Sequence, residues 1–88
     1  ADQITREQMA VMMYRYAAYK KNDIEKKADL SVYEDAGSVS PFAQEAMEWA
    51  VGSGIITGKF QGRILDPQGE TSRAECAIIL TRFLKSEV

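Results

Sequence analysis

The sequence predicts a small all-α domain made of short helix–loop–helix units with one turn-rich or extended loop. Three observations carry the prediction. Three stretches combine a helix-start signal with apolar residues at helical spacing. A Gly- and Pro-punctuated segment separates the second stretch from the third. The first stretch also repeats in the third with its apolar positions in register.

The first helix starts at Thr5, whose hydroxyl can cap it, and Gln8 three residues on can complete a capping box. Met9, Met12, Met13, Tyr16 and Lys20 follow on one expected face. The second starts at Ser40 with Pro41 at its first position, where a missing N–H costs nothing. Phe42, Ala46, Trp49 and Ala50 share its apolar side, and Gly54 suits a left-handed terminator with Ile55 folding back on the last turn. The third starts at Ser72 with Glu75 as capping partner, and its stripe is Cys76, Ile79, Leu80, Phe83 and Leu84. Between helices two and three, glycines at 58, 62 and 69 and Pro67 predict a tight turn with a short extended piece around Ile64.

Composition narrows the functions. Of 88 residues, 45% are hydrophobic and 27% charged, which excludes a disordered tail, a collagen-like fibre and a disulfide-stapled miniprotein. The lone Cys76 cannot pair within the chain and reads as a small core residue. With no His, His-based zinc sites and Ser–His or Cys–His catalysis are excluded. A net charge of −2 offers no basic stripe for nucleic acid or anionic lipid. The longest apolar run, Met9 to Tyr14, has six residues; a membrane-spanning helix needs roughly 20. Residues 30–58 carry four acidic groups and no basic one, which reads as a solvated acidic face. Glu45 and Glu48 lie there three residues apart, without the pocket a glycosidase acid requires. No metal or other cofactor is implied.

Sliding the chain by 67 residues sets Thr5-Arg6-Glu7-Gln8-Met9-Ala10 against Ser72-Arg73-Ala74-Glu75-Cys76-Ala77, and Arg15-Tyr16 against Arg82-Phe83. A capping box followed at once by Arg, with a second Arg nine residues on, is a far more specific signal than a capping box alone. The repeat is lopsided. Residues 1–20 read as the closing helix of a partial unit, 21–29 as a linker and 30–88 as a complete unit, so the chain reads as cut from a longer protein.

The stretches ITREQMAVMMYRY and YEDAGSVSPFAQEAMEWAVGSGIITGKFQGRILDPQGETSRAECAIILTRF resemble the S-layer homology family. Its unit runs aromatic-x-Asp, a helix containing Trp-Ala, Gly-Ile-Ile-x-Gly, a Gly-x-(Phe/Leu)-x-Pro loop, and a Thr-Arg-Ala-Glu motif opening an apolar helix. The complete unit covers about two thirds of the chain. Ser72 stands for the motif Thr, Thr71 for the preceding Ile or Ala, and Phe42 for a frequent Trp; the Asp-Gly dipeptide of the loop is missing.

The resemblance implies a bacterial, extracellular, non-catalytic module of the cell wall or S-layer, packed against neighbouring units. It implies non-covalent binding of secondary cell-wall polysaccharide, often through pyruvylated N-acetylmannosamine. It assigns ligand contact to Arg73, to Arg6 in the partial unit, to Asp35 and to Gly54. A structural or protein-interaction domain without glycan binding is the alternative function.

Side-chain chemistry leaves both roles open for the arginines. Arg matches a carboxylate bidentately, and the first turn of a helix adds free N–H groups; a salt bridge to a nearby Asp or Glu is the competing reading. Asp35 either contacts ligand or holds a loop. Trp49 reads as core, and Arg15 and Arg82 as solvated or salt-bridged.

Stripes left without a neighbour cost ~1.5–3 kcal/mol per wet side chain against a small domain's margin of ~5 kcal/mol. The isolated chain is therefore expected to self-associate, most simply as a symmetric dimer in which one chain's first helix completes the other's unit. Sedimentation equilibrium across a wide concentration range checks this. A compact 9.8 kDa monomer with a sharp, concentration-independent thermal transition would overturn it.

Overall fold

The computed structural model describes residues 4–21, 24–58 and 62–86; residues 22 and 23 of the expected linker and 59–61 of the expected loop lie outside this set. Helix α1 spans Arg6–Tyr19, α2 Gln44–Gly52 and α3 Arg73–Ser86. Single 3-10 turns at Leu30–Val32, Ala36–Ser38 and Pro41–Ala43 lead into α2. Among the described residues there is no β-strand; Thr5 and Glu70 form an isolated antiparallel bridge.

Both expected capping boxes form. The Thr5 hydroxyl accepts from the Gln8 N–H at 3.2 Å while Gln8 Oε1 accepts from the Thr5 N–H at 2.9 Å. At α3, Ser72 Oγ accepts from the Glu75 N–H at 3.1 Å and Glu75 Oε1 from the Ser72 N–H at 3.3 Å. Each pair satisfies donors that a helix start leaves over.

The buried face of α1 differs from the one expected. Met9, Ala10, Met13 and Ala17 are buried, whereas Met12 and Tyr16 are 60% and 47% exposed, and Lys20 is exposed at the C-cap. Ala10 and Ala17, both fully buried, bring α1 close to α2 and the Pro41–Ala43 turn, and that contact sets the face. On α3, Ile79 and Phe83 are buried as expected, Cys76 is half-buried, and Leu80 and Leu84 are open to solvent.

Helix α2 lies at the centre, with Ala46, Met47, Trp49 and Ala50 buried. The Trp49 ring meets Tyr14 of α1 edge-on at 5.6 Å between centroids and Phe83 of α3 at 6.0 Å, so one indole joins three helices. The start of α2 needs correcting. Ser40 does not cap its own helix: its N–H and hydroxyl both donate to the buried Glu7 carboxylate, at 2.9 and 2.7 Å. A buried carboxylate demands such donors. Pro41–Ala43 then forms a 3-10 turn, and Phe42 stands 67% exposed rather than in the core.

The far end of α2 matches the reading. Gly54 has φ +75° and the Ile55 N–H donates back to the Ala50 carbonyl at 2.9 Å, with Ile55 fully buried. Residues 24–29 run beside α2, where the Ala28 N–H donates to the Glu48 carbonyl at 3.0 Å. Gly52 permits that approach, since a Cβ there would stand 3.0 Å from the Lys27–Ala28 backbone. Ser31 donates to the Asp29 carboxylate from its hydroxyl and its N–H, and these bonds hold the Asp29 pKa below the usual carboxylate value.

Space around Gly54 is open, so Gly54→Ala adds only left-handed backbone strain. It is expected to lower the unfolding free energy by about 1–2 kcal/mol in urea titrations. Unchanged stability would mean that the turn after α2 can relax to another conformation.

Candidate functional site

The first turn of α1 docks on the loop that precedes α3. The Arg6 N–H donates to the Gly69 carbonyl and the Glu7 N–H to the Pro67 carbonyl, both at 2.9 Å. Thr71 answers from the other side: its N–H and hydroxyl donate to the Ile4 carbonyl at 2.9 and 2.7 Å. The free helix-start donors that could have held an anion on α1 are thus met by loop carbonyls.

Arg6 completes the joint. Its guanidinium is buried, with Nε donating to the Leu65 carbonyl at 2.7 Å and Nη2 to the Thr57 carbonyl at 2.6 Å. Nη1 donates to Glu75 of α3 at 3.1 Å, the salt bridge that competed with ligand contact in the sequence reading. The Nε–Nη2 edge, which pairs bidentately with carboxylates, faces two main-chain carbonyls. Glu75 thereby does double duty: one oxygen completes the α3 capping box and the other balances a buried cation.

Asp35 holds the same loop from behind. Its two carboxylate oxygens accept from the Leu65 and Asp66 N–H groups, each at 2.8 Å. The Leu65 peptide is therefore gripped on its N–H side by Asp35 and on its C=O side by Arg6. Asp66 itself has φ +53°, and Gly69 has no side chain to collide with the Asp66 carboxylate. Arg6 and Asp35 come together through this loop. Gly54 sits apart at the end of α2, where its part is to turn the chain. Arg73 is exposed and, among the described residues, makes no hydrogen bond or ion pair.

Beside the buried Arg6 lies an open groove of about 190 Å³, lined by Arg6, Thr57, Gly58, Glu75, Ile78 and Arg82 among others. Arg82 is exposed, with Nη1 at 3.5 Å from Thr57 Oγ1, the outer limit of a hydrogen bond. Two guanidiniums against one carboxylate give the groove a net positive charge on an acidic chain. Sequence reading gives no site role to Glu7 or Thr57 and reads Arg82 as solvated or salt-bridged. Glu7 and Arg82 do carry a signal in the repeat: Glu7 stands where the other copy has Ala74, and Arg82 matches Arg15. Glu45 is exposed and accepts from the Tyr14 hydroxyl at 3.2 Å. Among the described residues no cluster of His, Cys, Asp or Glu could hold a metal ion, and no helix is long and apolar enough to cross a membrane.

The structure thus defines a small helical domain with an Arg-clamped loop, and comparison with known proteins gives its kind. The S-layer homology domain model matches residues 32–77. An endoglucanase of Bacillus sp. (strain KSM-635) is 31% identical over 83 residues, 94% of this chain and 9% of the relative. The surface-layer 125 kDa protein of Lysinibacillus sphaericus is 32% identical over 66 residues, 73% of this chain and 6% of the relative. The chain thus spans less than a tenth of either relative's length. No solved structure matches it. The chain belongs to the S-layer homology family, whose domains are non-catalytic cell-surface anchoring modules.

Replacing Arg6 strands two loop carbonyls and the Glu75 carboxylate. Arg6→Ala is expected to cost about 3 kcal/mol or more in chemical denaturation. Arg73→Ala in the same chain should stay within about 0.5 kcal/mol of the parent. Equal losses at the two sites would show that burial of Arg6 contributes nothing to the joint.

Proposed function

We propose that this chain anchors its parent protein by binding an anionic cell-wall polysaccharide in the groove beside Arg6. One observation carries the reading: two guanidiniums, a threonine and exposed aliphatic surface converge in an open groove beside the joint between α1 and the loop that precedes α3. A pyruvate ketal on a sugar carries a carboxylate, and Arg82 offers the accessible fork for it. Arg6 lines the groove with its charge while its hydrogen bonds fix the loop. Asp35 and Gly54 contribute by positioning that loop and the end of α2. Ile78 provides a half-exposed apolar patch against which a sugar ring can lie. Arg73 falls outside this groove, and its own contact with polymer belongs to the equivalent groove at a following unit.

The second reading, an assembly module without glycan binding, is supported by the same joint, because its hydrogen bonds link α1 to the loop before α3, stretches that the sequence reads as parts of successive units.

Calorimetry with purified pyruvylated wall polysaccharide separates the two. The parent chain is expected to bind, and Arg82→Ala to weaken binding by about 1.5–3 kcal/mol with unchanged helicity. Removing the pyruvyl groups should have the same effect and abolish the difference between parent and variant. Equal affinity of parent and Arg82→Ala would remove Arg82 from the site. Absence of binding by the parent would leave the assembly reading.

A further inference from the structure

A second cleft lies between the middle of α1 and the turn that opens into α2, and neither the joint nor the groove beside Arg6 uses it. It encloses about 250 Å³ and is lined by Val11, Tyr14 and Arg15 of α1 together with Pro41, Phe42 and Glu45. Phe42 stands there on a fixed base. Before it, the Ser40 N–H and hydroxyl donate to the buried Glu7 carboxylate; after it, Ala43 is fully buried. The ring between these two anchors is held outward in water, although burial would stabilise it.

Arg15 and Glu45 supply polar groups beside the ring. Arg15 is exposed and, among the described residues, makes no hydrogen bond or ion pair. Glu45 is held but not saturated. The Tyr14 hydroxyl at 3.2 Å and Lys27 Nζ at 3.7 Å both approach its Oε2, and the same Nζ lies 5.2 Å from the Tyr14 ring centroid. Among the described residues nothing donates to Oε1. The cleft therefore offers a free guanidinium, a free carboxylate oxygen and an exposed ring face.

These groups select a ligand by exclusion. An anion on Arg15 would meet the Glu45 carboxylate, and a cation on Glu45 would meet Arg15 and Lys27. A neutral ligand whose hydroxyls both donate and accept satisfies the two together. The face of the Phe42 ring is the negative side of its quadrupole and attracts C–H groups. A pyranose has the hydroxyls on its edge and the C–H groups on its face. The cleft is smaller than the ~300–1,000 Å³ of pockets for drug-sized ligands, which suits a single ring.

We propose that the Arg15–Phe42–Glu45 cleft binds one neutral pyranose ring, stacked on Phe42 with its hydroxyls shared between the Arg15 guanidinium and Glu45 Oε1. The proposal does not rest on anion binding beside Arg6, because the two clefts have no lining residue in common.

The test titrates the isotope-labelled 88-residue chain with methyl β-glucoside and with the methyl glycoside of N-acetylglucosamine, followed by amide NMR shifts. Either glycoside should give saturable shifts at Val11, Arg15, Phe42 and Glu45 with a Kd in the millimolar range, the affinity open to so small a ligand. Phe42→Ala and Arg15→Ala should each weaken binding by about fivefold or more. Both side chains are exposed, so Tm should stay within about 3 °C of the parent. Phe42→Tyr keeps the ring face and should keep the binding. Arg82→Ala should leave these shifts as they are, which separates this cleft from the groove beside Arg6. Absence of saturable shifts with both glycosides up to about 50 mM overturns the proposal. So does glycoside binding undiminished by Phe42→Ala, which would put the sugar elsewhere. A response at the same amides to acetate or methylammonium, with none to either glycoside, would give the cleft to an ion and overturn it too.

Discussion

The fold hinges on a buried arginine that holds main chain. Residues 62–71 contain neither helix nor strand, and their peptide groups would otherwise depend on water. Arg6, Asp35 and the first turn of α1 supply the missing partners, so the loop becomes as fixed as the helices around it. A guanidinium taken from water loses several kcal/mol of solvation. Two carbonyls and a carboxylate offset that loss here, and among the described residues no buried side-chain nitrogen or oxygen lacks a partner. The cluster fixes the first turn of α1 against the loop, at the end of the helix where side-chain packing on α2 begins.

Helix α2 provides the complementary constraint. It is short, yet its indole touches aromatic rings from both flanking helices, and its last turn is closed by a left-handed glycine that drives Ile55 into the interior. Polar and apolar contacts thus converge on the same few residues. The Glu7 carboxylate, two positions from the core methionine Met9, holds the segment that opens into α2. Helix α1 therefore touches α2 at two levels, through side-chain packing along its length and through a hydrogen-bonded carboxylate at its start.

Local signals in the sequence were legible where one physical rule decides. The capping pairs at Thr5–Gln8 and Ser72–Glu75, the glycine that ends α2 and the core position of Trp49 were all readable for that reason. Faces were harder. Periodicity alone offered Met12 and Tyr16 as readily as Ala10 and Ala17, and the choice fell to a neighbour that the stripe does not specify. Phe42 and Ser40 were misplaced because the Glu7 carboxylate, distant in sequence, outcompeted the helix for the Ser40 donors. The candidate site shows the same division. Arg6 and Asp35 were picked out by the repeat and the family resemblance, but their common grip on the Leu65 peptide is a contact across 59 and 30 residues of chain that no spacing rule encodes. Arg82 looked like any solvated helix arginine until the joint placed it on a groove.

Arg6 grips carbonyl oxygens, and every residue type carries one. The identity of the side chains at Thr57 and Leu65 is therefore invisible to the clamp; only the path of the loop is sensed. Such a coupling tolerates drift in the very segment it fastens, provided that the turn residues keep the backbone in place. Segments joined in this way can diverge at their surfaces and still interlock. The loop facing the groove is then free to vary in sequence while the mechanical connection underneath stays the same.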